Sequence, residues 1–316
     1  MSDGSRSLAI VVPVYNEEAG LARFHQELTA VLDALEWNSS IWYVDDGSSD
    51  GTLPILIGLS LRDRRVRAIE LSRNFGHQAA LLAGLETAEA DVVITLDGDG
   101  QHPPSLIPQL LDQYGNGADV VQALRRESAN IGFWKRMSAR YFYWLVNRLT
   151  EIRLAPGSAD FRLLSRPAVE ALRAMPERHE FLRGMVGWLG FRQAKVEYEP
   201  ERRIAGTTKF SVGRMARLAL HALFSFSQSP LRLCYTLGAM MLLLCLAEGL
   251  YTVFLYFSPN RSQLVPGWSS LMFFLLLGNA LQLLTLGVVA HYVGYIFDEA
   301  KRRPRFVIRR LHGGTP

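Results

Sequence analysis

Val92-Val93-Ile94-Thr95-Leu96 runs straight into Asp97-Gly98-Asp99-Gly100-Gln101-His102, an apolar stretch that stops at two carboxylates flanking a glycine. Five residues dominated by β-branched and aliphatic side chains predict a strand buried on both faces of a sheet. Runs of the same kind stand at residues 8–15, 41–44, 66–71 and 120–123. Helical spacing separates them. Residues 17–35 put Leu21, Phe24, Leu28, Val31, Leu32 and Leu35 on one stripe; 76–88 and 103–114 behave alike, and Pro103-Pro104 suits a first helical turn. Strands alternating with helices predict an α/β fold, a doubly wound and mostly parallel sheet, with ligands at the carboxyl ends of the strands.

The chain has 316 residues, with 34 Lys and Arg against 30 Asp and Glu, a net charge of +4. That balance is too modest to point to nucleic acid, and no nucleic acid is expected as a partner. The apolar residues are unevenly spread. Residues 1–230 read as water-soluble, whereas 233–257 and 270–297 are each long enough to span roughly 30 Å of hydrocarbon. The intervening loop, 258–269, carries one charge, Arg261. Arg214, Arg217 and Arg232 precede the first run; Lys301, Arg302, Arg303, Arg305, Arg309 and Arg310 follow the second. This asymmetry predicts a two-span protein of the inner or plasma membrane with both termini and the large N-terminal domain cytosolic. Residues 8–15 lead directly into Asn16-Glu17-Glu18 and lack the form of a signal peptide.

Two stretches, 133–149 and 209–227, mix aromatic residues with arginines, as helices lying in a membrane interface do. A helix packed on the core with a basic outer face suits 133–149 equally well. The expected division is a catalytic domain at 1–208, an interfacial region at 209–230, a two-helix membrane domain at 231–299 and a basic cytosolic tail at 300–316. Cys234 and Cys245 both fall in the first apolar run and read as free thiols, not a disulfide framework. Glu248, in the same run, is costly in lipid, so a functional or inter-helix role is the default expectation, and a purely structural one, satisfied by a hydroxyl of a neighbouring helix, suits it at least as well. His291, near the end of the second run, reads as an interfacial polar residue.

Three strand ends deliver polar clusters: Pro13-Val14-Tyr15-Asn16-Glu17-Glu18, Asp45-Asp46-Gly47-Ser48-Ser49-Asp50-Gly51 and Asp97-Gly98-Asp99-Gly100-Gln101-His102. Carboxylates that converge on one crevice repel one another unless a cation sits among them. Asp97 and Asp99, with Gln101 following, supply hard oxygen donors suited to Mg²⁺ or Mn²⁺, with a diphosphate completing the shell. Asp-x-Asp alone is a weak signal, because surface turns hold many. Its place at the end of a buried strand, beside two other polar strand ends, makes it a strong one.

These three segments resemble the inverting family 2 glycosyltransferases, of GT-A type. Within that family the chain is similar to the polyprenyl-phosphate glycosyltransferases, the group of dolichol-phosphate mannose synthase and the bacterial undecaprenyl-phosphate glucosyl- and aminoarabinosyl-type enzymes. The resemblance covers nearly the whole chain, both C-terminal runs included. Ser158-Ala159-Asp160-Phe161-Arg162 resembles the acceptor-side segment. Arg203-Ile204-Ala205-Gly206-Thr207-Thr208-Lys209-Phe210 resembles the group's Arg-x-x-Gly-x-Ser-Lys-Tyr element, with Thr and Phe keeping the hydroxyl and the ring.

The resemblance implies a metal-dependent transfer from a nucleotide-sugar, UDP-linked by analogy with the bacterial branch, to undecaprenyl phosphate. It implies that Pro13, Tyr15, Glu17 and Asp46 hold the nucleoside, with Asp45 deeper, near the base or ribose or orienting the loop. Asp97, Asp99 and Gln101 would surround the metal and diphosphate, and Arg203 and Lys209 would close over the diphosphate. Arg125, Arg136 and Arg140 are candidates for the acceptor phosphate, each with a reading as a plain solvated charge beside it. Asp160 is the implied base. A lipid phosphate is already largely ionised near neutral pH, so Asp160 would mainly orient it or remove its last proton. Relatives of this group also imply a homo-oligomer, with a tetramer among the options. Two other readings compete. A small processive polysaccharide synthase would carry a Gln-x-x-Arg-Trp motif, and no Arg-Trp pair occurs here. A catalytically silent membrane adaptor of the same fold would have no need of the intact Asp97-Gly98-Asp99.

Overall fold

The structure, a computed structural model, describes residues 6–125, 158–175, 182–199, 229–257 and 267–314. The expected interfacial helices at 133–149 and 209–227 lie outside the described residues, and with them Arg136, Arg140, Arg203 and Lys209. The side chain of Glu248 is likewise outside them.

In chain order the N-terminal part runs β1 (Ser7–Val14), α1 (Leu21–Asp33), β2 (Asn38–Asp45), α2 (Thr52–Arg62), β3 (Val66–Leu71), α3 (His77–Thr87) and β4 (Val92–Thr95). A 3₁₀ turn at Pro104–Leu106 leads into α4 (Ile107–Gly115), then β5 (Val120–Arg125). Beyond the undescribed stretch come β6 (Ser158–Ser165), α5 (Arg166–Ala174), α6 (Leu182–Trp188) and β7 (Gln193–Tyr198). One more strand, β8 (Ile308–His312), follows the helices of the C-terminal half. All eight described strands form one sheet in the order β7-β5-β6-β4-β1-β2-β3-β8.

Strands β1 to β4 pair in parallel, as their apolar runs predict. β6 enters between β4 and β5 and runs antiparallel to both, while β7 pairs in parallel with β5. The sheet is therefore mostly parallel with two reversals, at β6 and β8. Alternation along β1 builds a core on each face. Leu8, Ile10, Val12 and Val14 pack with Leu21, Phe24 and Leu28 of α1 and with Ile107 and Leu110 of α4. Val11 points the other way and meets α3 at Gly84, where an added Cβ would come within 2.2 Å of Val11 Cγ1. Arg173 of α5 donates to the carbonyls of Leu85 and Ala88, occupying acceptors left open where α3 ends.

The basic stretch expected as a tail is part of the sheet. β8 lies antiparallel on β3, with Ala68 opposite His312 and Glu70 opposite Arg310. Glu70 supplies the reason a run of arginines is held there: it pairs with Arg309 at 3.2 Å and His312 at 3.1 Å. Residues Met1–Ala216 and Arg303–Pro316 form one compact unit, Arg217–Arg302 another. The second unit contains two long helices, α7 (Ser229–Phe257) and α8 (Trp268–Ala300). Among the described residues, Leu277–Ala300 alone is long and apolar enough to cross a membrane; α7 contributes the shorter apolar stretch Cys234–Leu244. Leu242, Leu243 and Phe254 of α7 and Leu283, Leu284 and Ile296 of α8 are largely exposed.

Candidate active site

The carboxyl ends of β1, β2 and β4 open on a cleft of about 450 Å³, whose lining includes Pro13, Tyr15, Glu17, Asp46, Asp97, Asp99 and Asp160. The first two strand ends are stitched together. Asn16 takes a left-handed backbone, φ 55°, which Asn tolerates better than most residues. Its N–H donates to Ser48 Oγ at 3.0 Å, and its Oδ1 accepts the N–H of Ser49 at 2.8 Å. The Glu17 N–H donates to Thr52 Oγ1, and Glu18 Oε2 accepts the N–H of Gly51. Tyr15 is left half-exposed on this scaffold, 48% accessible, with its ring on the cleft wall.

Asp45 and Asp46 have different jobs, because consecutive residues leaving a strand point to opposite sides. Asp45 is buried and takes the N–H of Ser48, so it orients the loop and does not line the cleft. Asp46 reaches the cleft, yet its two oxygens accept the N–H groups of Phe75 and Gly76 at 2.8 and 3.0 Å. Burial pushes both carboxyls above the usual carboxylate range, the hydrogen bonds offsetting only part of it.

The Asp97 end is held from behind. Its N–H donates to Nδ1 of His102 at 2.9 Å, which fixes that nitrogen as the acceptor of a buried ring stacked on Phe161. Asp99 Oδ1 accepts the N–H of Gln101, curling the loop back on itself. His77, the first residue of α3, places Nε2 3.2 Å from Asp97 Oδ1 and 3.6 Å from Asp160 Oδ2. Burial alone would lower the histidine, but its hydrogen bonds and ion pairs with Asp160 and Asp97 outweigh it and raise it to about 10. Burial would raise Asp97, and His77 reverses that too, holding the carboxyl below the usual range. The two directions agree: this is an ion pair. Asp160 is buried on β6, bound by Arg162 Nη2 at 2.7 Å and Gln78 Nε2 at 3.0 Å, while its carbonyl accepts the hydroxyl of Thr95.

Of the described site residues expected from sequence, Pro13, Tyr15, Glu17, Asp46, Asp97, Asp99 and Asp160 meet in the cleft. Gln101 and Arg125 stand off it, with Arg125 Nη1 3.5 Å from Gln101 Oε1. His77, Gln78 and Arg162 were not among the expected residues. Arg73-Asn74-Phe75-Gly76-His77-Gln78 follows β3 as a fourth polar strand end, the same signal that marks the other three.

The donor set suits a divalent cation. Asp97 Oδ1 is buried, with the His77 imidazole 3.2 Å away, and the Asp99 carboxylate shares the cleft across the side-chain-free Gly98. These are hard oxygens of the kind Mg²⁺ and Mn²⁺ take. Among the described residues no group of three or more His, Cys, Asp or Glu side chains converges to bind a metal alone. A cation here would complete its shell with substrate oxygens or water.

The sequence profile of Glycosyl transferase family 2 matches residues 9–173. The chain is 38% identical over 307 residues to the uncharacterized glycosyltransferase YkcC of Bacillus subtilis, covering 96% of this chain and 94% of that one. It is 34% identical over 312 residues to the SfII prophage-derived bactoprenol glucosyl transferase of Shigella flexneri, covering 98% and 99%. Among solved structures, glucosyl-3-phosphoglycerate synthase from Mycobacterium tuberculosis resembles it more loosely: 20% identity, TM-score 0.48, 70% of this chain and 79% of that one.

Proposed function

This chain belongs to glycosyl transferase family 2, and from that premise we propose that it moves a sugar, with inversion, from a UDP-linked donor to a polyprenyl phosphate at the cytosolic face of a membrane. The observation that carries the reading is the cleft: Tyr15 and Glu17, Asp97 and Asp99, and Asp160, which the family resemblance would assign to nucleoside, metal and acceptor, share a single opening. The name of the Shigella relative supports the lipid acceptor, and the long helices with exposed leucines and phenylalanines support the membrane setting.

Mg²⁺ or Mn²⁺ held by Asp97 and Asp99, with Gln101 nearby, would screen the negative charge that grows on the departing nucleoside diphosphate. The chain's own groups do the rest. Tyr15 offers a ring for the base, Glu17 a carboxylate for the ribose hydroxyls, and Asp46 keeps the opposite wall in place. Arg203 and Lys209 add positive charge at the diphosphate, and Arg125, Arg136 and Arg140 at the acceptor phosphate. Asp160 is poorly suited to be a strong base, since its oxygens already serve Arg162 and Gln78. An alcohol acceptor would need such a base; a phosphate, with a second pKa near 6, enters already charged. The acceptor-side chemistry therefore favours a lipid phosphate.

The test is a panel of UDP- and GDP-sugars, UDP-glucose first, with undecaprenyl phosphate and Mn²⁺, the product read by thin-layer chromatography. One donor is expected to yield a glycosylated lipid phosphate. Failure of every donor with folded protein would sink the lipid-acceptor reading and favour a silent adaptor.

A further inference from the structure

The corner between β3 and α3 is the shared partner of three acidic strand ends. Asp46, past β2, accepts the N–H groups of Phe75 and Gly76. His77 Nε2 stands 3.2 Å from Asp97 Oδ1, past β4, and 3.6 Å from Asp160 Oδ2, on β6. Gln78 donates to that same Asp160 oxygen, and its Oε1 accepts the N–H of Leu182 at the start of α6. Carboxylates gathered at neighbouring strand ends repel one another unless donors hold them. One short segment supplies donors to all three. Its backbone is fixed in turn by Gly47, at φ +68°, where a Cβ would lie 2.6 Å from the carbonyl carbon of Arg73 and 2.7 Å from the nitrogen of Asn74.

We propose that His77 is a positioning residue: it holds the metal-side carboxylate Asp97 and the acceptor-side carboxylate Asp160 at one working separation, so that the two ends of the cleft are set together. This rests on the functional reading above, which gives the two carboxylates their sides. Removing the imidazole leaves Asp160 with Arg162 and Gln78, but takes away the only one of these donors that also reaches Asp97. The His77 side chain is 42% exposed on the first turn of α3, so its loss opens no core cavity. The damage falls on alignment, not on folding.

The experiment uses the full-length protein in detergent and compares wild type with His77→Ala, His77→Gln, Asp160→Asn and the double variant His77→Ala/Asp160→Asn. Thermal unfolding is expected to be unchanged in His77→Ala. Its kcat with lipid phosphate should fall about 10- to 100-fold, the range typical of lost outer-shell partners, and calorimetric Mn²⁺–UDP binding should weaken about tenfold. His77→Gln keeps an N–H donor and should recover most of both losses. The double variant should lose no more than its worse parent, because both changes break one link. Wild-type kcat and Mn²⁺–UDP affinity in His77→Ala would overturn the inference while leaving the function standing. So would losses that multiply in the double variant, or a His77→Gln no better than His77→Ala. A wild-type protein that glycosylates no lipid phosphate would overturn the function; the Mn²⁺–UDP titration of His77→Ala would still decide whether His77 positions Asp97.

Discussion

Asp99 and Asp160 line the same cleft but carry different burdens, and the difference can be measured. On the proposed function, Asp99 would offer oxygens to a cation that eases leaving-group departure. Asp99→Ala should therefore cost more than the roughly 10–100-fold in activity that losing an outer-shell partner costs. EDTA should likewise abolish transfer and added Mn²⁺ restore it. Asp160→Asn keeps the shape and removes the charge. Because a phosphate acceptor needs little deprotonation, turnover should fall by less than the roughly 100-fold or more expected when a true general base is lost. Steady-state kinetics of the two variants, side by side, checks both. Asp97 and Asp99 were legible in sequence because a buried strand aims whatever follows it into the crevice. His77 was not, since its two carboxylates lie 20 and 83 positions away and only the sheet order brings them to it. Asp46 was legible as a cleft residue, but nothing in the sequence showed that its oxygens are taken up by the backbone of the neighbouring corner.

At the scale of elements, β1 and β4 announced themselves as nearly unbroken aliphatic runs, the mark of strands covered on both faces, while β2, β3 and β5 showed shorter apolar runs, with Trp42 and Tyr43 in β2, Arg67 and Glu70 in β3 and Gln122 in β5. The elements that escaped break that pattern for identifiable reasons. β6, Ser-Ala-Asp-Phe-Arg-Leu-Leu-Ser, carries a buried ion pair between Asp160 and Arg162 where an aliphatic pair would be expected. α2, Thr-Leu-Pro-Ile-Leu-Ile-Gly-Leu-Ser-Leu-Arg, is apolar nearly all round and so shows little helical periodicity. β8, Ile-Arg-Arg-Leu-His, reads as a charged tail because its partner, Glu70, lies more than 200 residues away. Its place on the sheet makes a prediction. A chain ending at Arg302 would uncover the edge of β3 and leave Glu70 without Arg309 and His312. Such a truncation should lower the unfolding temperature and promote self-association, because an open strand edge is a template for pairing. Thermal unfolding and light scattering of the truncated and full chains decide it.

For the whole molecule, the sequence-level picture of two spans rests on length, composition and the arginines flanking them. α7 and α8 have 29 and 33 residues. At about 1.5 Å per residue each exceeds the roughly 30 Å of a bilayer's hydrocarbon core. The proposed arrangement puts residues 258–269 outside and the catalytic unit inside. In a variant with Cys234 and Cys245 replaced by Ser, a cysteine at Ser262 should react with a membrane-impermeant maleimide in intact cells. A cysteine at Ser60, beside β8, should react only after lysis. Labelling in the reverse pattern would contradict the topology.

The central claim is that the cleft serves a lipid phosphate, and offering the enzyme two acceptors that differ only in that group tests it most directly. Wild-type protein with its preferred nucleotide-sugar and Mn²⁺ is given undecaprenyl phosphate or undecaprenol, and the lipids are weighed by mass spectrometry. The expected result is a phosphate lipid heavier by one sugar residue and no glycosylated alcohol, with product formed far more slowly by Asp99→Ala. Transfer to undecaprenol at a comparable rate, or product formed by Asp99→Ala at the wild-type rate, would contradict it.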